Sequence, residues 1–425
     1  MGTEISLTFA GATLAWSKNH RGMDHGPLFQ ECDRRAYLEE DEGYTPPDDV
    51  YPMAFVRDLG SLKPRLELLG FTMERIQADY DALRHEWIDI RTDDGEAIGD
   101  KIPPTFDEYR DLATKHPIAD LDSTYHSIGA REHASGRFAT FEDLIDRLPR
   151  DYASEVWDYC ERDYLVSAVN ILHPYATLRI LAENSENHDS DVVWDYGPLV
   201  SNGWENVEAF IAGARREETF LIATEGTSDL RILRQGLELL RPQIVDFFRF
   251  IDVEERHPFS GTGNLVKFAE GLAKIDVHNQ VVFVFDNDAE GLDAHEKVLR
   301  LNLPANMSTM VLPDLEDFKS FPCRGPQGEH EADINGRGAA IECYLDHALH
   351  DYPPPRVVWT NLKEPAGVYQ GSLEFKDSYT KAFLSLRKHT LESGNYDFTR
   401  IEAVLDRLTA ECIRVASAQP SSIDR

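Results

Sequence analysis

From Thr219 to Leu312 short apolar runs alternate with helix-length amphipathic stretches, and this alternation restricts the fold more than any other feature of the chain. Thr219–Thr224, Ile244–Val253, Val281–Phe285 and Ser308–Leu312 read as strands. Asp229–Arg241, Asn264–Ile275 and a stretch ending at Asn302 read as helices between them. Strands separated by helices cannot pair as hairpins, so the pattern requires a mainly parallel sheet built from right-handed crossover units. In such an open sheet, ligands bind where the strands deliver their carboxyl ends.

Two of these strands end in carboxylates. The first runs into "IATEGTSD", with Glu225 at its tip, then Gly226, then Asp229 in the following turn. The third runs through "VVFVFDNDAEG", which puts Asp286 and Asp288 directly after five apolar residues. Side chains two apart on extended backbone share a face, so both aspartates can point the same way. Carboxylates converging on one sheet edge repel unless a cation lies among them, and all-oxygen ligation suits Mg²⁺ or Mn²⁺ rather than zinc. The competing reading makes Asp288 the N-cap of the helix that follows it. The glycines of "SGTGN", Gly261 and Gly263, open another helix, where backbone N–H groups either approach a phosphate or serve a plain tight turn.

The Glu and Asp-x-Asp pair resembles the Toprim domain of topoisomerases, primases and the overcoming-lysogenization-defect (OLD) nucleases. The resemblance covers roughly residues 216–390 and implies an α/β, Toprim-like (Rossmann-like) catalytic domain. It makes Asp286 and Asp288 metal ligands, Glu225 a further ligand or the general acid/base, and Asp229 a ligand of a second ion. Topoisomerases need a nucleophilic tyrosine on a separate domain and primases a longer chain, which leaves the nucleases. Those add carboxylates and a lysine downstream. Here Glu342 is a candidate metal ligand against a plain solvated position, and Lys376 a candidate catalytic cation against an exposed helix-start residue. Glu329, Glu331, Asp333 and Lys381 are weaker candidates. The implied activity is phosphodiester hydrolysis of DNA or RNA with two Mg²⁺ or Mn²⁺ ions, in bacterial antiphage or plasmid defence.

Upstream the pattern is helical. Leu69, Met73, Ile76, Tyr80, Leu83 and Trp87 mark one face of a helix within Leu62–Ile90. Thr140 and Asp143 have capping-box spacing before a second helix, and a third runs from about Ala153 to Leu172. The expected layout is a mostly α-helical domain at 1–190, a linker helix at 191–215, the α/β domain at 216–390 and a C-terminal helix at 391–425. After Pro313 a loop containing "FPCRGPQGEHEADINGRG" precedes an expected helix Ala339–Ala348 and a strand at "RVVWTNL". The opening "MGTEISLTFAGATLAWSKN", with the later helices, resembles the N-terminal domain of HEPN/Toprim-associated proteins of bacterial conflict systems. HEPN ribonucleases carry an Arg and a His a few residues apart, and Arg110 with His116 is the candidate pair here. An Arg would stabilise phosphate charge and a His would act as acid or base without metal. A catalytically silent nucleic-acid sensor or scaffold is the remaining alternative.

The net charge of −33 excludes a protein that coats nucleic acid non-specifically, since phosphate would be repelled. Nucleic-acid contact must then be local, metal-bridged or helped by a regulatory protein partner. Five scattered cysteines without a Cys-x-x-Cys pair read as reduced thiols. No apolar run approaches the ~20 residues of a membrane span, so a cytoplasmic protein without membrane contact is expected. Helical N-terminal domains of this kind pair, so a homo-oligomer, dimer or larger, is expected as well.

Overall fold

The computed structural model describes residues 2–36, 53–93, 99–125, 137–150, 160–250, 261–275, 277–326, 328–348, 352–363, 367–387 and 394–418. It divides into two compact units, Met1–Ala214 and Arg215–Arg425. Among the described residues no helix is long and apolar enough to cross a membrane.

The first unit is built on a sheet, contrary to the mostly helical expectation. Strands β1 (Glu4–Phe9), β2 (Ala12–Lys18), β3 (Arg34–Ala36), β4 (Met53–Asp58) and β5 (Asp191–Asp195) pair antiparallel in the order β2-β1-β5-β4-β3. Ile5, Leu7 and Phe9 alternate inward along β1, the period-two pattern of a half-buried strand. The expected end of the first domain at residue 190 and the linker helix at 191–215 are therefore corrected. β5 pairs with β1 and β4 in mid-sheet, and only the short helix Gly197–Ser201 and 3₁₀ turns follow it.

The helix expected over Leu62–Ile90 is two helices, Leu59–Leu68 and Met73–Asp93. Gly70, at φ 91°, ends the first one. Its N–H donates to the Glu67 carbonyl (2.9 Å) and that of Phe71 to Leu66 (3.0 Å), the paired bonds of a Schellman stop. The Thr140 cap is not formed. Residues 139–141 make a 3₁₀ turn, and Glu142–Asp146 starts after Phe141 without a side-chain cap. Of the third expected helix, Glu161–Val169 is seen, with the Cys160 sulfur accepting from the Asp163 N–H, and 153–159 lie outside the described residues.

The second unit carries the expected parallel sheet. β6 (Phe220–Thr224), β7 (Phe248–Phe250), β8 (Gln280–Phe285) and β10 (Met307–Val311) lie in the order β10-β8-β6-β7, every pair parallel. β8 is buried along its whole length, as an apolar run covered on both faces must be. Helices Thr262–Ala273 and Ala289–Leu299 cover one face through Leu265, Ala269, Ala294 and Val298. Thr227–Leu240 and Thr399–Ser417 pack together on the other. The second strand is shorter than expected because Pro242 starts a 3₁₀ turn through Phe247, and 251–253 lie outside the described residues.

The long loop after Pro313 contains a hairpin, β11 (Phe321–Gly325) and β12 (Gly328–Ala332). With β14 (Val357–Lys363) and β15 (Val368–Leu373) it forms a sheet ordered β12-β11-β14-β15. The helix expected at Ala339–Ala348 is absent. Gly338–Ala339 is a short strand, β13, antiparallel to β9 (Asn287–Asp288), and Ile341–Tyr344 is one 3₁₀ turn.

Candidate active site

The strand order creates the site. From β6 the chain passes to β7 on one side, and from β8 to β10 on the other, so the connections part between β6 and β8. That reversal opens a crevice at the carboxyl ends of these two strands. Thr224 stands opposite Val284, which puts Glu225 and Asp286 at neighbouring strand tips.

Four of the carboxylates are oriented by backbone N–H groups. Glu225 accepts from the Asp286 N–H (3.2 Å) and from the Thr262 hydroxyl (2.6 Å). Asp229 accepts from the Gly226 N–H at 2.8 Å and from the Ser228 hydroxyl at 3.2 Å. Asp286 Oδ1 accepts from the Ile341 N–H at 3.0 Å, a bond that the β9–β13 pairing sets up. Asp288 Oδ1 accepts from the N–H groups of Glu290 (3.0 Å) and Gly291 (2.8 Å), so the N-cap reading is realised. Its Oδ2 accepts from Gln370 Nε2 at 2.5 Å. Glu342 is 3% exposed.

These groups raise one another's proton affinity. Burial pushes Glu225 up to about 7, with the charges of Asp288 and Asp229 adding to it and the Thr262 bond opposing. Asp286 is held well above the carboxylate range by burial and then by Asp229, Glu225, Asp288 and Glu342. Burial raises Asp229, Asp288 and Glu342 as well. Lys376, exposed at the start of the helix Lys376–Leu384, acts in the opposite sense on Asp229 and Glu342. Five carboxylates from three segments, with Asp229, Asp288 and Glu342 buried and Glu225 and Asp286 half-buried, thus face one another with one lysine nearby.

The donor set is all carboxylate oxygen, the chemistry a hard divalent cation takes. As the side chains stand, no three His, Cys, Asp or Glu among the described residues are grouped to hold one ion. The hydrogen bonds explain part of this: both oxygens of Glu225, Asp229 and Asp288 already accept. Asp286 and Glu342 would hold an ion first, with Glu225, Asp229 and Asp288 at its rim.

Other candidates are engaged elsewhere. Glu329 pairs with Arg356, Glu331 accepts from Ser320, and Asp333 accepts from Asn335 at 2.9 Å. Lys381 is exposed on its helix. Gly261, at φ 93°, donates its N–H to the Glu225 carbonyl at 2.9 Å, so that N–H serves the turn rather than a phosphate. Gly263 lies in the first turn of the same helix with open space beside it. Arg110 and His116 are not joined. Arg110 pairs with Asp107 (3.1 Å) and Asp111 (3.4 Å) on its own helix, Phe106–Thr114. His116 lies beyond that helix's end, edge-on to Phe138 at 5.9 Å.

Sequence reasoning missed Thr262, Ser228, Gln370 and Gly291. Gln370 leaves no local signal, being 82 residues from the aspartate it touches. Gly291, three positions after Asp288, was visible in "DNDAEG".

A family model described as HEPN/Toprim N-terminal domain 1 matches residues 1–218, just over half of the chain. The chain belongs to the HEPN/Toprim N-terminal domain family. The match covers the first unit and stops short of β6, so the acidic crevice lies outside it. Membership in the family supports a nuclease-type role. No curated protein and no solved structure matches.

Proposed function

We propose that the chain is a nuclease that hydrolyses phosphodiester bonds of DNA or RNA at a Toprim-type site between β6 and β8. The observation that carries this reading is the mutual repulsion around Asp286. After burial, four neighbouring carboxylates raise its proton affinity, an arrangement a hard divalent cation would relieve. Two bound Mg²⁺ or Mn²⁺ ions would supply activation of the attacking water and stabilisation of the leaving oxygen. Glu225, with its pKa near 7, can take a proton from a nucleophile or return one to a leaving group near neutral pH. Thr262 and the Asp286 N–H hold its two oxygens in place for that transfer. Lys376 offers positive charge to the non-bridging phosphate oxygens as they gain charge.

The proposed role in antiphage or plasmid defence and the proposed homo-oligomer rest on the family resemblance. The proposed cytoplasmic setting rests on the lack of a membrane-length apolar run, and the regulatory protein partner on the acidic charge. The deciding experiment incubates the full chain with labelled plasmid, single-stranded DNA and total tRNA in Mg²⁺, Mn²⁺ or EDTA, beside Asp286→Asn. Cutting should require metal and vanish in the variant. Cutting that persists in EDTA, or in Asp286→Asn, sinks this site assignment.

A further inference from the structure

The sheet β12-β11-β14-β15 presents a second surface next to the acidic site. Arg337 directly precedes β13, and its backbone is bridged to Asp288. Its carbonyl accepts from the Gly371 N–H at 2.7 Å, which anchors the residue to β15 as well. The side chain is exposed, and among the described residues no hydrogen bond or ion pair engages its guanidinium. The other arginines of this sheet are neutralised: Arg324 and Arg356 both pair with Glu374, at 2.5 and 2.7 Å. In a chain of net charge −33, a free cation tied to Asp288 is a specific feature.

Arg337 lines a cleft of about 300 Å³ with His330, Trp359, Val368 and Tyr369. Trp359 is held rigidly there. A Cβ on Gly325 would come within 2.9 Å of its Cδ1, and one on Gly371 within 3.0 Å of its Cζ3, so the indole lies flat against two glycines. Its Nε1–H donates to His330 Nε2 at 3.2 Å. Trp359 stands opposite Gly371, two residues from Tyr369, so both rings share one face of the sheet. Tyr369 is 42% exposed. The next residue, Gln370, bonds Asp288 from the other face of this edge strand. A flexible polymer crossing β15 would meet both the cleft and the acidic crevice.

A fixed indole and an exposed tyrosine ring beside an unpaired guanidinium match an unpaired base and its phosphate, because stacking needs an open base face that a duplex hides. The acidic surface reinforces the point. With general phosphate attraction absent, stacking must supply much of the binding. We infer that this cleft holds one unpaired nucleotide of a single-stranded nucleic-acid substrate, its base on Trp359 and Tyr369 and its phosphate on Arg337. The inference rests on the nuclease reading for its choice of ligand.

The test measures anisotropy of a labelled single-stranded oligonucleotide and of its duplex with the full chain in Ca²⁺, checking on denaturing gels that the probe stays intact. Tyr369→Ala and Arg337→Ala should each weaken single-strand binding about tenfold and leave duplex binding within about twofold. Trp359→Phe, which retains a ring, should bind more tightly than Trp359→Ala, with circular dichroism confirming that both fold. Single-strand binding within twofold of the parent in both Tyr369→Ala and Arg337→Ala overturns the inference, as does a parent that prefers the duplex. A parent that binds single strands through these residues yet cuts nothing overturns the nuclease reading and leaves the cleft standing.

Discussion

The carbonyl oxygen of Asp286 lies 2.1 Å from where a Cβ on Gly291 would stand, with the Asp286 carbonyl carbon at 3.0 Å. Only a residue without a side chain lets the helix Ala289–Leu299 begin so close to the strand tip. That closeness also sets the Gly291 N–H on Asp288.

Gly291→Ala must therefore displace backbone rather than a flexible side chain. The expected cost is about 3 kcal/mol of stability, read by chemical denaturation. Nuclease activity should fall further than stability accounts for, since the displacement moves Asp286 and Asp288 together. An alanine variant with the parent's stability and activity would show that the helix start can retreat without disturbing the site.

Gln370 touches the acidic site twice: its Nε2 donates to Asp288 Oδ2 and its Oε1 accepts from the Glu290 N–H at 3.1 Å. Gln370→Leu keeps most of the volume and removes both the donor to Asp288 and the acceptor for Glu290. Groups that orient metal-binding carboxylates typically contribute about 10–100-fold in affinity or activity. The variant should thus need more Mg²⁺ for half-maximal cutting while its melting temperature stays near the parent's. A metal requirement identical to the parent's would reduce Gln370 to a packing role.

The parallel sheet was readable because its signals are local: apolar runs, helix-length spacers and carboxylates at two strand tips. What was missed depends on long-range pairing. β1 and β4 are joined through β5, supplied from residues 191–195, and nothing near Ile5 or Phe55 announces that partner. The stretch Ala339–Ala348 has a helical composition, yet pairing of β13 with β9 and the Ile341 N–H bond to Asp286 override local preference. Glu329, Glu331 and Asp333 looked like site residues by charge alone. Their neighbours Arg356, Ser320 and Asn335, distant or unremarkable in sequence, decide otherwise.

Lys376 and His116 separate the two nucleic-acid chemistries considered for this chain. Lys376→Ala should lower cutting about 100-fold, the scale of losing one electrostatic contact to the developing charge. His116→Ala should leave it within about twofold, because Arg110 is paired with Asp107 and Asp111 on its own helix. The same plasmid and tRNA assays read both variants. The opposite pattern, with His116 essential and Lys376 dispensable, would move the chemistry to the first unit.

His25 makes the first unit acid-sensitive. It is fully buried against Tyr175 and Trp194, and burial, followed by the nearby His173, lowers its pKa from 6.5 to about 3. Below pH 6.5 the unfolded chain binds a proton that the folded chain refuses, so stability falls as pH falls. Between pH 7 and 5 the loss should be on the order of 2 kcal/mol. Denaturation of the parent and of His25→Gln at both pH values checks this, and the variant should show the shallower slope.

The acidic crevice titrates in the other direction. Glu225 binds a proton more tightly folded than unfolded, its pKa rising from 4.5 to about 7, and Asp286, Asp229, Asp288 and Glu342 shift the same way. Raised carboxylates favour the folded state fully only below their unfolded pKa. That advantage is lost as pH climbs through the folded one. In EDTA the second unit should therefore lose stability from pH 5 to pH 8, by on the order of 2 kcal/mol for Glu225 alone. Glu225→Gln and Asp286→Asn should each be more stable than the parent at pH 8 and nearly equal to it at pH 5. Added Mg²⁺ should restore the parent at pH 8 and leave Asp286→Asn unmoved. Melting curves across this pH range, with and without metal, read each part. Glu225→Gln and Asp286→Asn no more stable than the parent at pH 8 in EDTA would mean that the carboxylates do not repel, and the case for a cation among them would fall with it.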